Sequence, residues 1–230
     1  RKRNNRLMEK NMEISTSILN INEEKITETF YNIEAAKTDY FHIDVMDGKF
    51  VKNNTVEKML KYTDTLNGIT NTPIEVHLMV EDVKEYIDMF IPNNPTKIIF
   101  HAKAMQNSEE VFKMIEYIKE NNIQVGLALS PEDSIDSIKE FIPKIHQVLV
   151  MTVNPGQGGQ ELIPECIKKA QELKKYLDSE NLETQIEVDG GVNLQNIKEI
   201  ANSGVDIAVA GTAIVNAVDM NYVIYTMHQA

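Results

Sequence analysis

The stretch Phe41-His42-Ile43-Asp44-Val45-Met46-Asp47-Gly48 begins as a strand and ends as a turn. Side chains alternate faces along a strand, so His42 and Asp44 point one way while Ile43 and Val45 point the other. The β-branched pair suits burial under helices. An imidazole and a carboxylate on the opposite face, followed at once by a glycine turn, mark a site at the strand's C-terminal end. Asp47 precedes Gly48 and reads as a turn residue rather than a reactive one.

The same rhythm repeats on both sides of this stretch. Short β-branched runs alternate with helical patterns of about ten to fifteen residues, which signals successive βα units and a parallel sheet. The predicted strands are Ile14–Leu19, Tyr40–Val45, Ile74–Met79, Lys97–Phe100, Gln124–Leu129, Gln147–Met151, Gln185–Val188 and Asp206–Ala210. The predicted helices are Glu23–Ala36, Thr55–Leu66, Val83–Phe90, Ser108–Asn121, Ser134–Phe141, Pro164–Ser179, Asn193–Asn202 and Val215–His228. Eight such units fit an α/β fold of the (β/α)₈ TIM-barrel type. An open doubly wound sheet would need a Gly-rich first turn, whereas here the first strand runs into Asn20-Ile21-Asn22.

The bulk numbers agree. With 230 residues and 42% hydrophobic content the chain supports one large core, taken as residues 13–230. A formal net charge of −12 argues against nucleic acid as a partner. The single Cys166 excludes an internal disulfide and a thiolate zinc site. No apolar run approaches the roughly 18 residues a membrane span needs, so a soluble, cytoplasmic protein is expected. Residues 1–12, opening Arg1-Lys2-Arg3-Asn4-Asn5-Arg6, read as a basic tail, disordered or expression-derived.

In a barrel of this kind the chemistry sits at the C-terminal strand ends. Strand two brings His42 and Asp44, strand three brings His77 on the face shared with Glu75 and Met79, and strand seven ends in Asp189-Gly190-Gly191. Two imidazoles and two carboxylates converging from three strands suit one divalent metal ion, Zn²⁺, Fe²⁺ or Mn²⁺. Asn193 is better placed than Asp189 to cap the next helix. His101 reads as pocket lining or as support for a ligand, and His146, at the opposite end of the barrel, as structural. Met46, Met79 and Met151 sit at site-side strand ends and would form an apolar collar. The loop Asn154-Pro155-Gly156-Gln157-Gly158-Gly159-Gln160, with Gly190-Gly191 and Gly211-Thr212, offers backbone amides to an anion. A phosphorylated small substrate follows.

Together the motifs His42-Ile-Asp-Val-Met-Asp-Gly, Val76-His-Leu-Met-Val, Met151-Thr-Val-Asn-Pro-Gly-Gln-Gly-Gly-Gln, Val188-Asp-Gly-Gly-Val and Ala210-Gly-Thr-Ala-Ile resemble the ribulose-phosphate 3-epimerase family from about Ile14 to the C-terminus. The resemblance implies a metal-dependent isomerase that interconverts D-ribulose 5-phosphate and D-xylulose 5-phosphate through a metal-stabilised ene-diolate. It implies His42, Asp44, His77 and Asp189 as metal ligands, with Asp44 and Asp189 as the acid/base pair. Ser17, His77, Gly156 to Gly159 with Gln157, Gly190, Gly191, Gly211 and Thr212 would meet the substrate and its phosphate, and a homo-oligomer is the family habit. A 3-epimerase of a ketohexose 6-phosphate such as allulose 6-phosphate is the alternative, ahead of a barrel lyase or a non-catalytic sugar-phosphate binder. The chain departs from the family pattern at Thr16 and Lys52 (commonly Pro), Glu57 (Gly), Lys103 (acidic) and Gln157 (aromatic). These departures bear on sugar specificity and on loops two and six.

Overall fold

Eight β-branched runs form the strands β1 (Glu13–Ser17), β2 (Tyr40–Met46), β3 (Ile74–Met79), β4 (Lys97–His101), β5 (Gln124–Leu129), β6 (Gln147–Met151), β7 (Gln185–Asp189) and β8 (Ile207–Ala210). All pair in parallel in sequence order, and β1 pairs with β8 to close the barrel. The computed structural model describes residues 11–230. Residues 1–10 of the expected basic tail lie outside the described residues, while Met12 is already in the core.

The helices are α1 (Ile26–Ala35), α2 (Val56–Ile69), α3 (Val83–Phe90), α4 (Ser108–Glu120), α5 (Pro164–Glu180), α6 (Ile197–Asn202), α7 (Thr212–Val215) and α8 (Met220–His228). Three of them, α3, α4 and α8, start at capping side chains. Asp82, Asn107 and Asp219 accept from the backbone N–H of Glu85, Glu110 and Tyr222, which satisfies donors that a helix leaves open. None of the described helices is long and apolar enough to cross a membrane.

Three expected helices are corrected, and the simplest case is Asn193–Asn202, which is helical only from Ile197. Residues Ser134–Phe141 form no α-helix; two 3₁₀ turns, Ile135–Ser137 and Ile142–Lys144, follow β5 instead. Ser134 accepts from the N–H of Asp136 and Ser137 donates to the Ser134 carbonyl, so the side chains compete for helical backbone groups. Pro143 then bars continuation. The burial expected of that segment survives, since Ile138, Phe141 and Ile142 are in the core. The last helix, expected from Val215, starts only at Met220, where Asp219 caps α8, and the short α7 ends at Val215 before it.

Alternation fixes what each strand offers. Phe41, Ile43 and Val45 face outward into the helix–sheet core, where Phe30 of α1 meets Phe41 edge-on at 5.7 Å and Tyr62 of α2 at 5.9 Å. Inside the barrel one half is apolar, a cluster of Ile99, Ala128, Leu149, Met151 and Val153. The polar side chains come from β1, β2, β3 and β7, joined by Lys97 and His101 of β4 and Gln147 of β6. The β2–β3 ladder sets Asp44 opposite His77 and His42 opposite Glu75.

Candidate active site

His42, Asp44, His77 and Asp189 are brought together at the C-terminal mouth, with one ligand atom from each lying within 4.8 Å of every other. Asp44 is the hub. Its Oδ1 lies 3.3 Å from both His42 Nε2 and His77 Nδ1, and its Oδ2 accepts from Ser17 Oγ at 2.8 Å. Asp189 Oδ2 approaches the same two nitrogens at 3.7 and 3.8 Å.

The two carboxylates differ in proton affinity. Burial opposes charge on Asp44, but the neighbouring His42 charge and the hydrogen bond from His77 outweigh it and hold that carboxyl far below the usual range. Burial, and then the negative charge of Asp44, push the Asp189 carboxyl up to about 7. Burial also opposes charge on His42, yet the carboxylates of Asp44, Glu75 and Asp189 raise its proton affinity well above that of an ordinary imidazole. Burial lowers that of His77.

Above the cluster lies a cavity of about 310 Å³ lined by Ser17, Asp44, Asp189, the three collar methionines Met46, Met79 and Met151, and the glycine loops. Gly156, Gln157, Gly158, Gly159, Gly190, Gly191, Gly211 and Thr212 all line it, as do Asn20, Val153, Asn154 and Asn193. No Lys or Arg is among the lining residues, so backbone amides and side-chain amides are its donors to an anion. His42 and His77 are fully buried and support the cavity floor instead of lining it. His77 therefore stands beneath the expected substrate position.

The loops are knitted together. Gly190 and Gly191 have φ of +122° and +70°, and a Cβ on either would overlap Val153 or the Leu162 backbone. Asn193 and Asn196 donate to the Gly191 carbonyl, and Asn193 accepts from the N–H of Gln195 and Asn196 in a turn ahead of α6; the N-cap position is Asn196, so the capping role expected of Asn193 is not the one it plays. Asn53 donates to the Gly156 carbonyl at 2.7 Å and ties loop two to loop six. Asp47 accepts from the N–H of Lys49, Phe50 and Glu81 and is a turn anchor. His146 accepts from the N–H of Val125, a structural contact far from the cavity.

Beneath the cluster is a layer that the sequence reading missed. Glu75, Lys97, Gln147, Glu187 and Ser15 are at most 2% exposed, inside the barrel. Burial and the neighbouring Glu75 push the Glu187 carboxyl well up, while Glu75 is held low by His42 and Lys97 against its burial. The available signal was parity. Glu75 and Glu187 stand two residues before His77 and Asp189, on the same inward face.

A family model described as the ribulose-phosphate 3 epimerase family matches residues 13–215. The chain belongs to the ribulose-phosphate 3-epimerase family. A ribulose-phosphate 3-epimerase of Escherichia coli K12 is 37% identical over 214 residues, 93% of each chain. One of Helicobacter pylori is 33% identical over 208 residues, covering 90% of this chain and 93% of the relative. The chloroplastic ribulose-5-phosphate-3-epimerase of Arabidopsis thaliana is 33% identical over 206 residues, 90% of this chain and 72% of the relative. The protein is accordingly an isomerase with epimerase activity. Among solved structures, a 3-hexulose-6-phosphate synthase superposes with a TM-score of 0.71 at 15% identity, covering 95% of this chain and 99% of that one. That likeness concerns the barrel fold alone.

Against the epimerase family pattern, the departures fall mostly away from the cavity. Thr16 turns outward and hydrogen-bonds Thr38. Lys103 reaches Ser130, Glu132 and Asp133, and neither Lys52 nor Glu57 lines the cavity. Gln157 does line it, so it is the departure that faces a substrate.

Proposed function

We propose that the protein interconverts D-ribulose 5-phosphate and D-xylulose 5-phosphate by exchanging the proton on C3 between Asp44 and Asp189. The observation that carries this reading is the pair of carboxyl groups, Asp44 from β2 and Asp189 from β7, that face the same two imidazole nitrogens at the floor of one cavity. Epimerisation beside a ketone needs an ionised base on one face of the carbon and a proton-bearing acid on the other. Asp44 suits the first role and Asp189 the second, with the roles exchanged in the reverse direction. The pair's titration is shared, so neither role belongs permanently to one residue.

The cluster fits a divalent cation. His42 Nε2 is buried with no hydrogen-bond partner and faces Asp44 and Asp189. Two imidazoles and two carboxylates would neutralise a dication and suit Zn²⁺, Fe²⁺ or Mn²⁺. Bound by these four residues, such an ion would supply Lewis-acid stabilisation of the negative charge developing on the sugar oxygens. The chain's own groups do the remainder. Ser17 orients Asp44 through its Oγ–H, and the three methionines keep water from the reacting carbon. Gly190-Gly191, Gly211-Thr212 and loop six meet the phosphate with amides.

Incubation with D-ribulose 5-phosphate in D₂O should yield D-xylulose 5-phosphate carrying deuterium at C3. Asp44→Asn and Asp189→Asn should each slow this by about 10²–10⁴-fold with the fold retained. Absence of turnover, or preference for allulose 6-phosphate, would overturn the pentulose assignment. Carbon–carbon cleavage would point to a lyase.

A further inference from the structure

The buried layer below the cluster converges on one atom. His42 Nδ1 lies 2.8 Å from Glu75 Oε1, which also accepts from Ser15 Oγ. Lys97 Nζ lies 3.4 Å from Glu75 Oε2, donates to Gln147 Oε1 at 2.9 Å, and sits 3.7 Å from the centre of the Tyr40 ring. Gln147 Nε2 in turn donates to Glu187. Donors surround both oxygens of Glu75, which fixes that carboxylate as an acceptor. Nδ1 of His42 is therefore held as the N–H donor to Glu75, which leaves Nε2, the nitrogen that faces Asp44 and Asp189, as the one a cation would take.

Charged groups buried this deeply are costly, and apolar side chains fill the other half of the same interior without difficulty. The geometry assigns Glu75, backed by Lys97, as the positioning residue that fixes the ring and tautomer of His42 and thereby sets the affinity of the cluster for a divalent cation. His77 is held differently. Its Nδ1 faces the carboxylates, and its Nε2 lies 3.0 Å from Nε2 of the neutral His101. The two imidazoles thus offer opposite nitrogens to the cluster, Nε2 from His42 and Nδ1 from His77, and only His42 is backed by a carboxylate. An anionic acceptor strengthens a ligating imidazole more than a neutral one does.

This inference rests on the cation site proposed above, and the test separates the two. Zn²⁺ affinity is measured by competition with a chromogenic chelator for the wild type, for Glu75→Leu with Lys97→Met, and for Glu75→Gln with Lys97→Met. Pairing the changes leaves no buried charge alone. The leucine variant should bind Zn²⁺ about 10–100-fold more weakly. The glutamine variant, whose amide oxygen can still accept from Nδ1–H, should recover to within a few-fold of wild type. Equal affinity in wild type and leucine variant, or equal loss in both variants, would overturn the inference alone. Failure of wild type to bind Zn²⁺ would overturn it together with the cation site. Imidazole nitrogen NMR of the wild type loaded with NMR-active cadmium needs no variant to fold: coupling through Nε2 of His42 and Nδ1 of His77 is expected. Coupling through Nδ1 of His42 would refute the assignment.

Discussion

Replacing Asp189 with Asn should make the cation-free protein more stable at pH 8. The unfolded chain releases this proton above about 3.8, whereas burial and the charge of Asp44 delay release in the folded state to about 7. Across that interval the folded state binds more protons than the unfolded one, so stability falls as pH rises. At 1.36 kcal/mol per pH unit the cost reaches on the order of 4 kcal/mol by pH 8, with more than half of it accruing above pH 5. Asn is neutral throughout and mimics the protonated acid. Urea unfolding with a chelator present, at pH 5 and pH 8, provides the assay. Wild type should lose stability relative to Asp189→Asn between the two, and the depressed Asp44 should not distort the comparison because its own loss of stability comes only at much lower pH. Zn²⁺ at about 100 times Kd should narrow the gap at pH 8, since binding adds roughly 2.7 kcal/mol to the protein that keeps four ligands. Parallel pH profiles, or a variant less stable at pH 8, would refute the reasoning.

Asp47→Ala should cost about 2–4 kcal/mol in urea unfolding, because three backbone N–H groups lose a charged acceptor. Hydrogen bonds from these amides hold the Asp47 carboxyl low against its burial, so this contribution is present above about pH 4 and is lost as the pH falls through the folded value. Gly191→Ala forces a side chain into φ +70° and against the Leu162 backbone. It should lower stability by about 1–3 kcal/mol and raise KM for the sugar phosphate more than it lowers kcat.

Much of this was legible in the sequence, for identifiable reasons. β3 and β5 run from Ile74 to Met79 and from Gln124 to Leu129 as read, because both faces of such strands are covered and apolar runs bound them clearly. The four clustered residues His42, Asp44, His77 and Asp189 were visible as reactive groups at strand ends. The segment after β5 misled because Ile135, Ile138 and Phe141 have helical spacing, while the deciding facts were serine side chains and Pro143. The layer of Glu75, Lys97, Gln147 and Glu187 went unread because charged residues are seldom fully buried. Their partners lie on different strands, so only the closed ring reveals that the charges compensate one another.

Ring closure has a consequence for how the protein is made. His42, Asp44 and His77 emerge from the ribosome early, on neighbouring strands, while Asp189 follows late, on β7. Until β7 has docked and β8 has joined β1, the early strands hold three donors but lack the fourth and the Glu187 end of the layer beneath. Full affinity for the proposed cation would thus be a property of the finished circle, and uptake of the ion would mark the moment at which the last strands dock.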